Sequence, residues 1–248
     1  MSVVLIHGVP ETARLWDGVR RQLGRDDTIA LSLPGFGNPR PAGFGATKDE
    51  YVDWAVGQLE RAVDEAGGPV DLVGHDWGGG FVVRIVSTRA DLVRSWVTDA
   101  ASLADRNFEW HDFAKIWQTP GDGEAFWDQQ LAASPAEREA IFVASGVPPE
   151  DATAIASRVD REMADCILAL YRSATKVNDD WGPAFEAIPK PGLVVVPSGD
   201  PFLSADGAAR AATRAGARIQ RLDGRGHWWM LEDPAIAAEL LESFWKSV

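Results

Sequence analysis

Hydrophobic positions follow two rhythms along this chain. Short runs rich in Val, Ile and Leu at residues 2–6, 28–33, 70–73, 95–98, 193–197 and 217–222 have the length and β-branched content of strands. Between and after them, apolar residues recur at helical spacing over 15–23, 48–66, 81–89, 205–215 and 234–245. In 48–66 the stripe is Tyr51, Ala55, Leu59 and Val63, and Gly67-Gly68 closes the segment. Alternation of strand and helix predicts a mostly parallel, doubly wound α/β sheet with helices on both faces. From about residue 103 to 188 the rhythm changes. The β-branched runs disappear, and 109–117, 124–133, 135–145 and 160–175 carry helical patterns rich in Trp, Phe and Ala, with breaks at Thr119-Pro120-Gly121 and Gly146-Val147-Pro148-Pro149. The pattern divides the chain into a core of 1–102 and 189–248 and an inserted helical lid of 103–188, without internal repeats.

Ligands of open α/β sheets bind beyond the carboxyl ends of the strands, so the residues leaving each strand are read together. They are His7-Gly8-Val9-Pro10 after the first strand, Asp76 after the third, Asp99 after the fourth, Asp200 after the fifth and Gly226-His227-Trp228 after the last. Gly74-His75-Asp76-Trp77-Gly78 lies between an apolar run and an amphipathic segment, the setting of a nucleophile elbow. Glycines two before and two after Asp76 let the backbone cross itself closely and hold the apex side chain exposed. A carboxylate at the apex attacks carbon and is left as an ester, which suits displacement at an sp3 carbon. Taken alone, the motif reads equally well as a Gly-rich turn with a solvated acid; the other strand ends decide. His227 follows the last strand in a glycine-flanked loop, where an imidazole can reach the elbow as general base. His7 and His75 flank turns and His111 falls on a lid helix, so none of them has that position. Asp200 is the acid expected to orient His227, with Asp99 as its competitor. The N–H groups of Val9 and Trp77 are the expected oxyanion hole.

Composition narrows the partners. At 248 residues and 46% hydrophobic content the chain can bury a large core, and no apolar run is long enough to cross a bilayer. A formal net charge of −13 argues against nucleic acid or an anionic membrane as partner. The single cysteine, Cys166, lies on an apolar helical face and offers neither a disulfide framework nor a zinc site. The first residues read as a strand rather than a signal segment, which predicts a cytoplasmic location. Eleven tryptophans stand against two tyrosines. Trp77, Trp110, Trp117, Trp127, Trp181, Trp228 and Trp229 fall in or beside the expected cavity, and Trp77, Trp117 and Trp228 are the expected contacts of a small apolar substrate.

His7-Gly8-Val9-Pro10-Glu11, Gly74-His75-Asp76-Trp77-Gly78-Gly79, Gly199-Asp200-Pro201 and Gly226-His227 together resemble the α/β-hydrolase fold, in its epoxide hydrolase and haloalkane dehalogenase branch with an Asp nucleophile. Val9-Pro10-Glu11 followed by Trp16 is more similar to the epoxide hydrolases, since many dehalogenases place Asn or Glu where Val9 stands. The resemblance implies a proton donor on a late lid helix, and Tyr171 in Ala169-Leu170-Tyr171-Arg172 matches it. A second lid tyrosine is absent: Tyr51 belongs to a core helix, so a second donor is Trp117 or His111, or there is none. The two strands that usually precede His7 in this family are also absent, which predicts six strands and a sheet edge that a second copy could cover as a homodimer. The expected reaction is opening of an epoxide to a vicinal diol through an ester on Asp76, with no metal or organic cofactor. The alternatives are a dehalogenase with the same Asp76, His227 and Asp200, and a ligand-binding protein that keeps the scaffold without turnover.

Overall fold

The computed structural model describes residues 2–248. In chain order its elements are β1 (Val3–Ile6), α1 (Asp17–Leu23), β2 (Thr28–Leu31), α2 (Lys48–Ala66), β3 (Val70–Gly74), α3 (Trp77–Thr88), β4 (Val93–Thr98), α4 (Asp112–Gln118), α5 (Asp122–Ala132), α6 (Pro135–Ala144), α7 (Pro149–Ala156), α8 (Arg161–Ser173), α9 (Val177–Trp181), β5 (Gly192–Pro197), α10 (Ala205–Ala215), β6 (Arg218–Leu222), α11 (Trp229–Glu232) and α12 (Pro234–Lys246). The six strands form one parallel sheet in the order β2-β1-β3-β4-β5-β6. The chain winds outward from β1 to β2, then returns to place β3 on the other side of β1. The crevice above β1 and β3 is therefore the switch point where such sheets hold ligands. The register opposes Ile6 to Gly74 and Gly74 to Thr98, so His7, His75 and Asp99 leave the sheet side by side.

Alternating residues of each strand feed two cores. Val4, Ile6 and Leu72 pack with α2 and α3 on one face, while Val3, Leu5, Val73 and Val97 pack with α1 and α12 on the other. Full burial on both faces explains why these strands read as unbroken apolar runs. α2 starts at a capping box, with Thr47 accepting from the Glu50 N–H and the Glu50 carboxylate returning to the Thr47 N–H. Tyr51 on α2 donates its hydroxyl to the Pro34 carbonyl at 2.8 Å and serves packing, while Cys166 is buried on α8.

Three departures from the sequence pattern have local causes. α3 begins at Trp77, four residues before the apolar segment, because Gly78, Gly79 and Gly80 carry no hydrophobic signal. α4 begins at Asp112 rather than 109, because the His111 ring caps it by accepting from the Ala114 N–H. α7 follows at once upon the Gly146–Pro149 break, with Pro149 at its first position, where a missing N–H costs nothing. Among the described residues no helix is long and apolar enough to cross a membrane.

Candidate active site

Asp76 joins β3 to α3 with φ 50 and ψ −121, a conformation that stores roughly 1–3 kcal/mol in a non-glycine residue. Its neighbours enforce it. A methyl group at Gly74 would strike the Gly78 carbonyl, and one at Gly78 would strike the carbonyl of Ile6 on the neighbouring strand. A methyl group at Gly8 would strike the Asp76 carboxylate itself, so the loop after β1 lies directly against the elbow.

The two oxygens of Asp76 have different surroundings. Oδ1 accepts the Val9 N–H at 2.9 Å, while Oδ2 lies 3.9 Å from His227 Nε2. The Trp77 N–H, at the start of α3, makes no hydrogen bond to this carboxylate among the described residues. His227 Nδ1 is 2.8 Å from Asp200 Oδ2, and Asp200 Oδ1 accepts the N–H groups of Phe202 and Leu203 at 2.7 and 3.2 Å. Burial raises the Asp76 carboxyl to about 6, against the opposing charges of His227 and His75 and the Val9 hydrogen bond. Burial works against a charge on His227, but Asp200 outweighs it with help from Asp76, and the net shift is upward. Burial likewise opposes the Asp200 charge, and His227 with the Phe202 N–H reverses that, holding the carboxyl low.

Asp99 does not contact His227. Its Oδ1 accepts the Asp76 N–H at 2.9 Å, and its Oδ2 takes His75 Nδ1 at 2.6 Å and the Trp229 indole at 2.8 Å. Glu11, 1% exposed, completes this buried layer. Its Oε2 accepts the Gly8 N–H at 3.1 Å and its Oε1 the Trp228 indole at 2.5 Å. His75 Nε2 stands 3.3 Å from Glu11 Oε1 but is not aligned for a hydrogen bond. Burial opposes a charge on His75, yet Asp99 and Glu11 on either side raise its pKa well above the ordinary value. Glu11 is held low by His75 despite its own burial. A buried imidazolium between two carboxylates thus ties the loops after β1, β3, β4 and β6 together. Sequence reasoning placed His75 beside a structural turn and gave Glu11 no role; the signal available was their position next to Pro10 and Asp76. Ligand atoms of Glu11, His75 and His227 lie within 4.8 Å of one another, but a charged His75 and a Glu11 already accepting two N–H groups do not suit a cation.

A cavity of about 190 Å³ opens over Asp76 and His227, walled by Val9, His111, Trp117, Tyr171, Phe202 and Trp228 among others. Trp77 faces a smaller adjoining cavity with Asp76, Trp110 and Tyr171 instead. Two of the expected cavity tryptophans line neither cavity: the Trp181 indole donates to Asp49 Oδ1 at 3.1 Å and that of Trp229 to Asp99. Tyr171 is 2% exposed and packs edge-on against Trp77 and Trp117, with centroids 5.4 and 4.8 Å away. Burial, then the Asp76 charge, pushes its phenol well up, so it stays protonated. Arg172 points elsewhere, bridging α8 to α5 through two 2.7 Å bonds to Glu124. His111 is lowered to about 4 by burial and then by the His227 charge. Since its Nδ1 accepts the Ala114 N–H, the neutral ring carries its proton on Nε2. A phenol and an imidazole N–H donor therefore share the wall facing Asp76.

The raised pKa of Asp76 makes the site costly to the fold. A carboxyl raised from 3.8 to about 6 gives a contribution present in full below 3.8 and lost as pH rises through 6. Asp76→Asn keeps the acceptor for Val9 and removes that cost. It is expected to gain about 2–3 kcal/mol at pH 7, a gap that narrows as pH falls toward 4 in urea unfolding.

A parallel sheet with a strained elbow after its third strand, and an acid and a histidine beyond later strands, defines a hydrolase scaffold. The chain belongs to the alpha/beta hydrolase family, whose model matches residues 3–240. Curated relatives include an (E)-2-((N-methylformamido)methylene)succinate hydrolase of Acinetobacter baylyi, 32% identical over 37% of this chain and 34% of its own length. A pimeloyl acyl-carrier-protein methyl ester esterase of Citrobacter koseri is 35% identical over 40% of this chain and 36% of its own. The matches thus span about a third of the length of these relatives. Among solved structures, a haloalkane dehalogenase from Bradyrhizobium elkani superposes with a TM-score of 0.74 at 22% identity, over 100% of this chain and 91% of that one. An E-2-(acetamidomethylene)succinate hydrolase does so at 0.72 and 20% identity, over 99% and 91%. At such identities these likenesses concern the fold.

Proposed function

We propose that this hydrolase opens an epoxide to a vicinal diol through a covalent ester on Asp76. The observation that carries the reading is the sharing of one apolar cavity by the Asp76 carboxylate, the Tyr171 phenol and the His111 N–H. Asp76 Oδ2, the oxygen not bound by Val9, attacks an epoxide carbon. As the ring C–O bond breaks, its oxygen takes the Tyr171 proton while His111 donates a hydrogen bond to it. Esterification removes the Asp76 charge that favours the imidazolium, so His227, oriented by Asp200, becomes free to accept a proton. Water then adds to the ester carbon, giving its proton to His227 Nε2, and the oxyanion forms on the oxygen held by the Val9 N–H. Cleavage releases the diol and restores Asp76, and the proton returns to the Tyr171 phenolate through solvent. The segment from His111 through α9 acts as the lid that supplies Tyr171, His111 and Trp117 and keeps water scarce.

Labelled water tests the ester. In a single turnover with enzyme in excess in 18O water, the label is expected in Asp76 and not in the diol; label in the diol would mean direct attack by water. The rate is expected to rise with pH through about 6 as Asp76 ionises, read from the acid limb of kcat/KM. A halide-releasing reading draws on Trp77 beside Asp76 in the smaller cavity. Tyr171→Phe separates the two: roughly a 100-fold loss is expected for an epoxide, whose oxygen needs a proton, whereas release of bromide from an alkyl bromide would be indifferent to it.

A further inference from the structure

The cavity wall also contains a cation without a counter-charge, on a different element from Asp76. Among the described residues, Arg138 on α6 is the only lysine or arginine lining the cavity. Its Nη1 donates to the Val159 carbonyl at 3.2 Å, which fixes the guanidinium, and it makes no ion pair among the described residues. Its Nε–H is enclosed with no acceptor. The chain has no shortage of acids to pair it, with 37 Asp and Glu against 24 Lys and Arg. Trp117 and Trp127, 8% and 3% exposed, line the same cavity, and their indole N–H groups are also buried without an acceptor. Gln130 lies on the same wall, and its side chain makes no hydrogen bond among the described residues. The Arg138 Nε–H and the two indole N–H groups are closed to water, so the part of the cluster open to an acceptor in the cavity is the outer edge of the Arg138 guanidinium, which makes no ion pair among the described residues. The rest of the wall is largely aromatic and aliphatic, including Phe126, Phe142 and Val159.

We infer that the wall around Arg138 is a carboxylate subsite, and that the substrate is an apolar epoxide that also bears a carboxylate. The inference rests on the epoxide reading for the reacting group but not for the tail. Arg138 takes the carboxylate, the Gln130 amide takes a remaining lone pair, and the aromatic walls take the carbon skeleton. Fixing the tail sets which epoxide carbon meets Asp76 Oδ2, so the same contact determines regiochemistry.

Inert ligands test the subsite without turnover. A series of ω-phenylalkanoates, from phenylacetate to 8-phenyloctanoate, is titrated against quenching of tryptophan fluorescence, each beside its primary amide. At the best chain length the carboxylate is expected to bind roughly 10- to 100-fold more tightly than the amide, as for a hydrogen bond to a charged group. Arg138→Met should bind both at the amide's affinity, and Arg138→Lys should restore part of the preference. Equal binding of acid and amide to the wild type at every length, or a preference that survives in Arg138→Met, would overturn the subsite. Turnover of carboxylated and amidated epoxides is measured in parallel. A carboxylate preference without epoxide turnover leaves the subsite standing and removes the epoxide reading, while epoxide turnover without the preference does the reverse.

Discussion

His227→Ala is expected to take up one equivalent of epoxide and fail to release it. Alkylation needs Asp76 Oδ2, which the substitution leaves in place, whereas hydrolysis needs a base at Nε2, now 3.9 Å from that oxygen. Steady-state turnover should fall roughly 1,000-fold, within the range for loss of a general base. Intact-protein mass should rise by the whole epoxide mass, and the increase should vanish in the double variant with Asp76→Asn. An adduct formed only from alkyl halides, equal to the alkyl group less halide, would move the reaction to dehalogenation. Absence of either adduct in a folded variant would favour the ligand-binding reading, in which the constellation holds a ligand without forming a bond to it.

Part of this arrangement is legible in sequence because a parallel sheet sorts residues by position. Every strand ends at the same edge, so the residues after 6, 74, 98 and 197 meet there whatever their separation along the chain. The repeating element is therefore enough to assemble Val9, Asp76, Asp200 and His227 on paper, and α2 and α10 have the bounds their periodicity predicts. The pairing within that set is less legible. Asp99 and Asp200 both leave strands, and only the loop after β6 shows that His227 turns toward Asp200 while Trp229 turns toward Asp99. The charge on His75 depends on two carboxylates from different loops, one of them 64 residues away in Glu11, and no periodicity encodes such a meeting. The segment between β4 and β5 is harder still. Its helices show that they are helices, yet which side chains reach the cavity depends on how α4, α5, α6 and α8 pack. Tyr171 was accessible through a motif, whereas Arg138 lies on a helix with no fully buried residue and resembles any surface arginine.

Asp99 and Asp200 are expected to separate structure from kinetics. Asp99 accepts a backbone N–H, an imidazolium N–H and an indole N–H, all in a layer closed to water. Asp99→Leu leaves these donors unsatisfied and Glu11 alone facing His75. The expected loss is about 3–5 kcal/mol, a large part of the stability of a domain this size. Urea unfolding should register it as a lower midpoint or a collapse in soluble yield. Asp99→Asn, which keeps an acceptor for the Asp76 N–H but removes the charge, should remain folded with a smaller loss. Its imidazole should also titrate lower than in the parent, because one of the two charges that raise His75 is gone. Asp200→Asn should behave in the opposite way. It retains an acceptor for the Phe202 and Leu203 N–H groups and so keeps the loop, but it no longer holds the Nδ1–H tautomer of His227. Turnover should then fall by about 10⁴-fold with an unfolding midpoint close to the parent's, and the ester should accumulate as in His227→Ala. Were Asp99→Asn instead to accumulate the ester while Asp200→Asn turned over normally, the acid that serves His227 in the working enzyme would be Asp99, and the loop after β6 would have to rearrange when substrate binds.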